Sequence, residues 1–272
     1  MLLQRCGAAG DAERYAAGCI PARDKNMTWK SLVKEHMEQR IYRVFRLGRF
    51  LELLDLKRNT LVRPALWEDP WEEWWAHFLR KEAGISVPAD VFGQCWTAVE
   101  ESDVMWRVYA PLCDGVKIAT AYGVLLESLS SSVMSKCAME VATVVPVEYK
   151  TDAELREYGH KLISDFKKSE ERGVNAVPEK MLRILKAFSM NLRYQNKRTA
   201  FEWEQEFRVL AMCPEQTAAD TLSYPIDVNK VVHEIVFDPR MDKTLCTMIE
   251  EHIRRVGLAC PVYQSRLYSL DL

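Results

Sequence analysis

Hydrophobic spacing in this chain switches repeatedly between two periods, and that switching constrains the fold more than any one motif. Residues 41–46, IYRVFR, read as a strand, and residues 47–56 follow immediately with the spacing of a helix. TLVRP reads as a short strand closed by Pro64. Further strands are expected at 92–97, 115–120, 144–149 and 231–237, with short ones at 261–264 and 267–270. Helical faces alternate with them. Trp29, Leu32, Val33 and His36 share one; Trp67, Trp71, Trp74, Trp75 and Phe78 share another, read as aromatic packing; a short helix is expected at 104–109. Thr151 and Glu154 form a capping box for a helix carrying Leu155, Tyr158, Leu162 and Phe166. After a break at 169–177, Pro178 opens a helix that buries Met181, Leu182, Leu185, Phe188 and Leu192. A last helix carries Leu245, Met248, Ile249 and Ile253, with Glu250 and Arg254 paired at i,i+4 and Gly257 as its C-cap. The mixture predicts an α+β fold, a single domain with a mixed or largely antiparallel sheet packed by several helices.

That domain is expected to occupy residues 27–272. Residues 1–26 are rich in Ala and Gly and lack a hydrophobic period, and are expected to be a poorly ordered extension or a misassigned start, with Met27 the natural one. The mass of the protein made from its own gene tests this; a product that keeps residues 1–26 overturns it. The AAGC ending at Cys19 has the look of a lipoprotein processing site, but Asp11, Glu13 and Arg14 stand where an apolar core is needed.

Charge and cysteine usage narrow the functional classes. A formal net charge of −2 and a pI near 6.3 argue against a general nucleic-acid surface. The eight cysteines are scattered with no CxxC pair, which fits a reducing, cytoplasmic setting. The five histidines form no HExxH pair, and no metal is predicted. No apolar run approaches the roughly 20 residues of a membrane-spanning helix, so no membrane partner is expected.

The segment FEWEQEFRVL, residues 201–210, carries the candidate chemistry. Read as a strand, it places Glu202, Glu204 and Glu206 on one face and Phe201, Trp203, Gln205 and Phe207 on the other. Crowded carboxylates repel one another and acquire shifted pKa values, as active-site acids do. The same pattern also fits a solvated face ion-paired with Arg198 and Arg208, and the sequence leaves both open. Asp69 and Glu72 form a second acidic candidate at the start of the Trp-rich helix, where capping and the helix dipole are the preferred explanation. Cys95 has no base at a telling spacing and reads as a buried structural thiol.

Several ordered segments together resemble a microbial family of unknown function, numbered 2971 among such domains: IYRVFR, LVRPALWEDPWE, FGQCWT, MWRVYAPLCDGVKIAT, WEQEFRV, VVHEIVFDP and SRLYSL. Glu68 departs from that pattern, which commonly has asparagine before the aspartate. The E-x-E pair, the early-strand arginine and the interspersed aromatics also resemble parts of ADP-ribosyltransferases. That resemblance implies NAD as co-substrate, with an unknown acceptor. Glu206 is then the carboxylate that stabilises positive charge on the ribose, and Glu204 orients or deprotonates the acceptor. Arg46 binds the diphosphate, or Arg43 if the strand faces the other way. Trp106 or Tyr109 stacks on nicotinamide, and Arg208 holds the glutamates. Two other classes compete. One is a noncatalytic ligand-sensing or interaction module, in phage defence or stress response. The other is a metal-dependent nuclease using Asp69, Glu72, Glu204 and Glu206, whose carboxylates must converge on ions.

Overall fold

The computed structural model describes residues 36–84, 90–134, 139–171, 190–191, 193–215 and 218–270. The expected extension 1–26, the helical face of Trp29, Leu32 and Val33, and the helix face from Met181 to Phe188 with Leu192 lie outside the described residues.

The abrupt change of period after Arg46 is a strand running directly into a helix, β1 (Arg40–Arg46) into α1 (Leu47–Leu56), and β2 (Arg58–Val62) returns at once. Lys57 turns the chain between them in the left-handed region, at φ 50°. Pro70–Glu73 forms a 3-10 turn ahead of α2 (Trp74–Ala83), so the Trp-rich stretch is two elements, and Trp67 precedes both. Next come β3 (Val91–Thr97), α3 (Asp103–Tyr109), β4 (Gly115–Ala121) and α4 (Tyr122–Met134). The sequence gives little warning of α4, because its apolar run is interrupted by serines. Ser130 and Ser131 bond back to the carbonyls four residues earlier and so satisfy their hydroxyls within the helix.

The strand expected at 144–149 is two, β5 (Val141–Pro146) and β6 (Glu148–Lys150). The capping box holds: the Thr151 N–H donates to Glu154 Oε2 at 2.8 Å and the Glu154 N–H to Thr151 Oγ1 at 3.3 Å, at the head of α5 (Asp152–Glu171). Then follow β7 (Asn196–Arg198), β8 (Glu206–Met212), β9 (Thr221–Pro225), the one-turn α6 (Val228–Val231) and β10 (Glu234–Phe237). The chain ends with α7 (Lys243–Arg255), whose Glu250–Arg254 pair forms at 3.3 Å, and β11 (Val262–Gln264). Residues 267–270, expected as a strand, are a turn held by the Ser269 N–H on Arg266 O. Val231, expected to open a strand, belongs to α6.

These elements make an α+β fold around a nine-stranded sheet, ordered β11-β10-β4-β1-β3-β2-β9, with β8 beside β3 and β5 beyond it. Its pairs are antiparallel except β10 with β11, and β6 and β7 form a separate parallel ladder. One face packs Ile41, Phe45, Phe92, Trp96, Val116, Ile118, Phe207 and Val209 against α1, α4 and α7 in the main core. The opposite face carries a smaller core of Val91, Val145, Met190, Tyr194, Leu210 and Met212. Period two along β8 therefore sends Phe207 and Val209 into the main core and Glu206, Arg208 and Leu210 toward the smaller one. Among the described residues, no helix is long and apolar enough to cross a membrane.

The sheet is opened along one edge of β3. β3 pairs with β8 over seven positions, but with β1 at Tyr42–Thr97 alone and with β2 at Val62–Gly93 alone. A buried polar network bridges the opening toward β2. Asn59 Nδ2 donates to Gln94 Oε1 at 3.1 Å and to the Tyr224 hydroxyl at 2.8 Å, and Gln94 Nε2 donates to Thr60 O at 2.9 Å.

Gly93 makes a close approach on the second face: a Cβ there would lie 2.6 Å from Trp67 Cζ2. The Trp67 ring in turn covers the Arg208 guanidinium, 4.8 Å from its centroid. Gly93→Ala is expected to destabilise the protein by about 1–3 kcal/mol through this overpacking. Urea unfolding checks it, and unchanged stability would mean that Trp67 is free to shift.

Candidate active site

The acidic segment folds differently from its alternating pattern. Thr199–Glu204 is a 3-10 helix, Gln205 takes the left-handed conformation at φ 41° and ψ 56°, and the strand begins at Glu206. Glu202 and Trp203 are exposed, while Glu204 and Glu206 are buried. The expected face of three glutamates is thus replaced by two buried carboxylates flanking a left-handed residue. The solvated-face reading fails with it. Burial is tolerated because each carboxylate meets a cation.

Lys197 is the hub. The β6–β7 ladder sets Lys197 opposite Tyr149, and the Tyr149 hydroxyl accepts the Glu206 N–H at 2.8 Å. From there Lys197 Nζ reaches Glu204 Oε2 at 2.5 Å, Glu206 Oε2 at 3.0 Å and Glu72 Oε1 at 3.4 Å. The ammonium also lies over the Phe201 ring, 4.7 Å from its centroid. Arg208, fully buried, completes the cluster. Its Nε donates to Glu206 Oε1 at 2.8 Å, its Nη2 to Glu72 Oε1 at 2.7 Å and its Nη1 to Tyr194 O at 2.8 Å.

The two glutamates are pushed apart electrostatically. Burial drives the Glu206 carboxyl upward, but Arg208 beside it, with Lys197, overcomes this and holds it at about 2. Burial also raises Glu204, and there Lys197 recovers less than burial and the Glu206 charge impose, so its value stays above 4.5. Cys95 donates its thiol toward Glu206, and burial together with that carboxylate pushes the thiol well above its ordinary range, the opposite of what activates a nucleophilic cysteine.

The structure brings Glu204, Glu206, Arg208 and Glu72 together, and Tyr109 joins them through its hydroxyl, which donates to Glu204 Oε1 at 3.0 Å. Tyr109 is 38% exposed. Trp106 is 1% exposed, packed against Gly115 with its Nε1 on Glu101, and does not meet the cluster. Asp69 does not join either. It caps the 3-10 turn through the Trp71 N–H at 3.1 Å and pairs with Arg198 at 3.0 Å. Glu72, in contrast, is an ion-cluster member rather than a cap.

Arg46 is exposed at the end of β1, where α1 begins. Arg43 lies over the Phe45 ring, 4.5 Å from its centroid. Burial pulls its guanidinium down to about 10, and its Nη1 is buried without a hydrogen-bond partner.

The carboxylates wanted by a metal-dependent nuclease do converge in part, but the ammonium of Lys197 fills the space between Glu72, Glu204 and Glu206. Among the described residues no group of three or more His, Cys, Asp and Glu side chains is arranged to hold a metal. Lys197 and Tyr149 escaped sequence reasoning because a three-residue parallel ladder, which leaves no local period, places them.

No protein-family model matches the chain and no curated protein does, so the expected membership of family 2971 finds no support there. Among solved structures, DarT of Thermus sp. 2.9 in complex with NAD+ is similar with a TM-score of 0.35 at 8% identity, over 84% of this chain and 96% of that one. The same protein in complex with ADP-ribosylated ssDNA gives 0.34 at 10% identity, over 84% and 94%. At these values the likeness assigns no residue of this chain a role.

Removing one partner from the buried cluster leaves a charge uncompensated. Arg208→Met is expected to cost about 3–5 kcal/mol in denaturant unfolding. Because the folded value of Glu206 is depressed, its contribution is full above pH 4.5 and is lost as pH falls toward about 2. Glu206→Gln should therefore flatten the acid limb of stability against pH; an unchanged limb would show that Glu206 does not carry that charge.

Proposed function

We propose that this protein transfers ADP-ribose from NAD to an acceptor, with Glu206 and Glu204 as the two acting carboxylates. The observation that carries the reading is geometric: two buried carboxylates share the Lys197 ammonium, and Glu206 alone of the two is also bonded to Arg208. Two acids on one cation, one held ionised and one pushed upward, are suited to different roles. The ionised Glu206 stabilises positive charge as the nicotinamide glycosidic bond breaks and its electron pair leaves with nicotinamide. Glu204, the more basic of the two, takes the proton of the acceptor as its new bond to the ribose forms.

Arg43 is the candidate for the diphosphate role: its Nη1 is buried with no hydrogen-bond partner among the described residues, and paired phosphate oxygens complement a planar guanidinium. Arg46, exposed farther along the strand, is the outer candidate. Tyr109 is the aromatic ring open to a ligand, whereas Trp106 is enclosed. No observation favours one acceptor class.

One observation favours the ligand-sensing alternative: both oxygens of Glu206 are already engaged by Arg208 and Lys197. Such saturation also suits a structural ion cluster that needs no turnover. Purified protein incubated with NAD and a cell extract separates the two. The enzyme releases nicotinamide and attaches ADP-ribose, with Glu206→Gln slower by roughly 100- to 1000-fold and Glu204→Gln by about 100-fold or more. Arg43→Gln should raise KM for NAD. No turnover, together with no NAD-dependent rise in Tm, overturns the proposal.

A further inference from the structure

We propose that Lys197 is the positioning residue of this site, the cation that keeps Glu204 and Glu206 charged side by side and aimed at one point. This deepens the ADP-ribosyl-transfer reading and rests on it for its catalytic part. Lys197 Nζ is within 3.4 Å of three carboxylates from two separate elements, the 3-10 turn before α2 and the segment entering β8. Arg208 engages Glu206 and Glu72, whereas Glu204 draws its charged partner from Lys197 and a neutral one from Tyr109. Three carboxylates facing two cations leave one charge in excess, and Glu204, without the arginine, is where that excess falls.

The groups around Glu204 are Lys197 from β7, Glu206 and Arg208 from β8, Glu72 from the turn before α2, Tyr109 from α3, Tyr149 from β6 and Cys95 from β3. Among them Lys197 is the cation bonded to Glu204. With an apolar side chain at 197, two buried carboxylates face each other on either side of Gln205, and one takes up a proton to relieve the repulsion. Glu204 is the one to do so, since its carboxyl is already raised and Glu206 keeps its arginine. A protonated Glu204 cannot accept the acceptor's proton.

The kinetic consequence is specific. Lys197→Met should lower kcat by about tenfold or more, the scale of impaired general-base assistance. KM for NAD should stay within a few-fold, since Lys197 bonds the carboxylates and not the phosphate-binding candidates. The acid limb of the kcat profile should move to higher pH, and Lys197→Arg should restore part of the rate. A lysine that merely fills space would leave that limb in place.

Stability gives an independent readout. A Glu204 raised further above its ordinary value stabilises below that value and loses the contribution as pH rises through the folded one, so Lys197→Met should melt progressively lower than wild type toward neutral pH. Glu204→Gln, which removes the repelled charge, should restore much of the Tm of Lys197→Met at neutral pH. The experiment is therefore thermal melting from pH 4 to 8 for wild type, Lys197→Met, Lys197→Arg, Glu204→Gln and the Lys197→Met/Glu204→Gln double variant, beside nicotinamide release over the same range. Rescue by Glu204→Gln supports the positioning role, including where Lys197→Met alone does not fold. Additive losses with no rescue, or an acid limb that does not move, overturn it. If wild type releases no nicotinamide while the rescue is seen, the transferase reading fails and the electrostatic role of Lys197 stands.

Discussion

The ion cluster around Arg208 and Lys197 is the constraint on which the second face of the sheet depends. Arg208 has no access to water, and three segments distant in sequence are tied to it by a bond or a packed ring. Glu72 ties the turn before α2 to it, Tyr194 O is drawn down by Nη1, and Trp67 lies over the guanidinium. A buried cation without these partners would cost several kcal/mol, so the surrounding segments have little freedom to lie elsewhere. The small core of Val91, Leu210 and Met212 continues the same face but supplies no direction of its own. Apolar contacts tolerate many arrangements, while charge-assisted hydrogen bonds do not.

The site and the fold meet at β3. Its full pairing with β8 aligns Thr97 with Glu206 and Cys95 with Arg208, while its single pairing with β1 leaves the other edge open. In β1, Arg43 stands between Ile41 and Phe45 of the main-core face, whereas Glu206 and Arg208 lie on the other face, so chemistry that needs both must reach through that opening. The Asn59–Gln94–Tyr224 network keeps the opening toward β2 polar yet satisfied. The division between a depressed Glu206 and a raised Glu204 has the same origin, because β8 carries Arg208 two residues after Glu206 and nothing equivalent follows Glu204.

Local chemistry made much of the framework readable. The change of period at Arg46, the capping box at Thr151 and the i,i+4 pair in α7 depend on neighbours in sequence, and each stands where its pattern points. The α+β class follows from that alternation. Glu204, Glu206 and Arg208 were also readable as a group, since like charges at close spacing beside an arginine need compensation wherever the chain places them. Where the reading went astray, longer-range packing prevailed. FEWEQEFRVL alternates as a strand should, but Gln205 in the left-handed conformation breaks it, and Glu204 and Glu206 turn inward to Lys197 and Arg208, leaving Trp203 exposed and Phe201 half-buried against Lys197.

What the sequence by itself determined is the set of parts: most of the helices and strands in their order, an acidic pair and early-strand arginines. What the tertiary structure decided is which parts meet. Lys197 reaches the carboxylates through a three-residue parallel ladder, Glu72 leaves its capping position to join Arg208, Trp106 is enclosed while Tyr109 is not, and Arg43 rather than the exposed Arg46 carries a buried, unpartnered donor. The physical reason is that period and propensity act over a few residues, whereas compensation of buried charge is settled between segments far apart in the chain, where sequence spacing carries no distance.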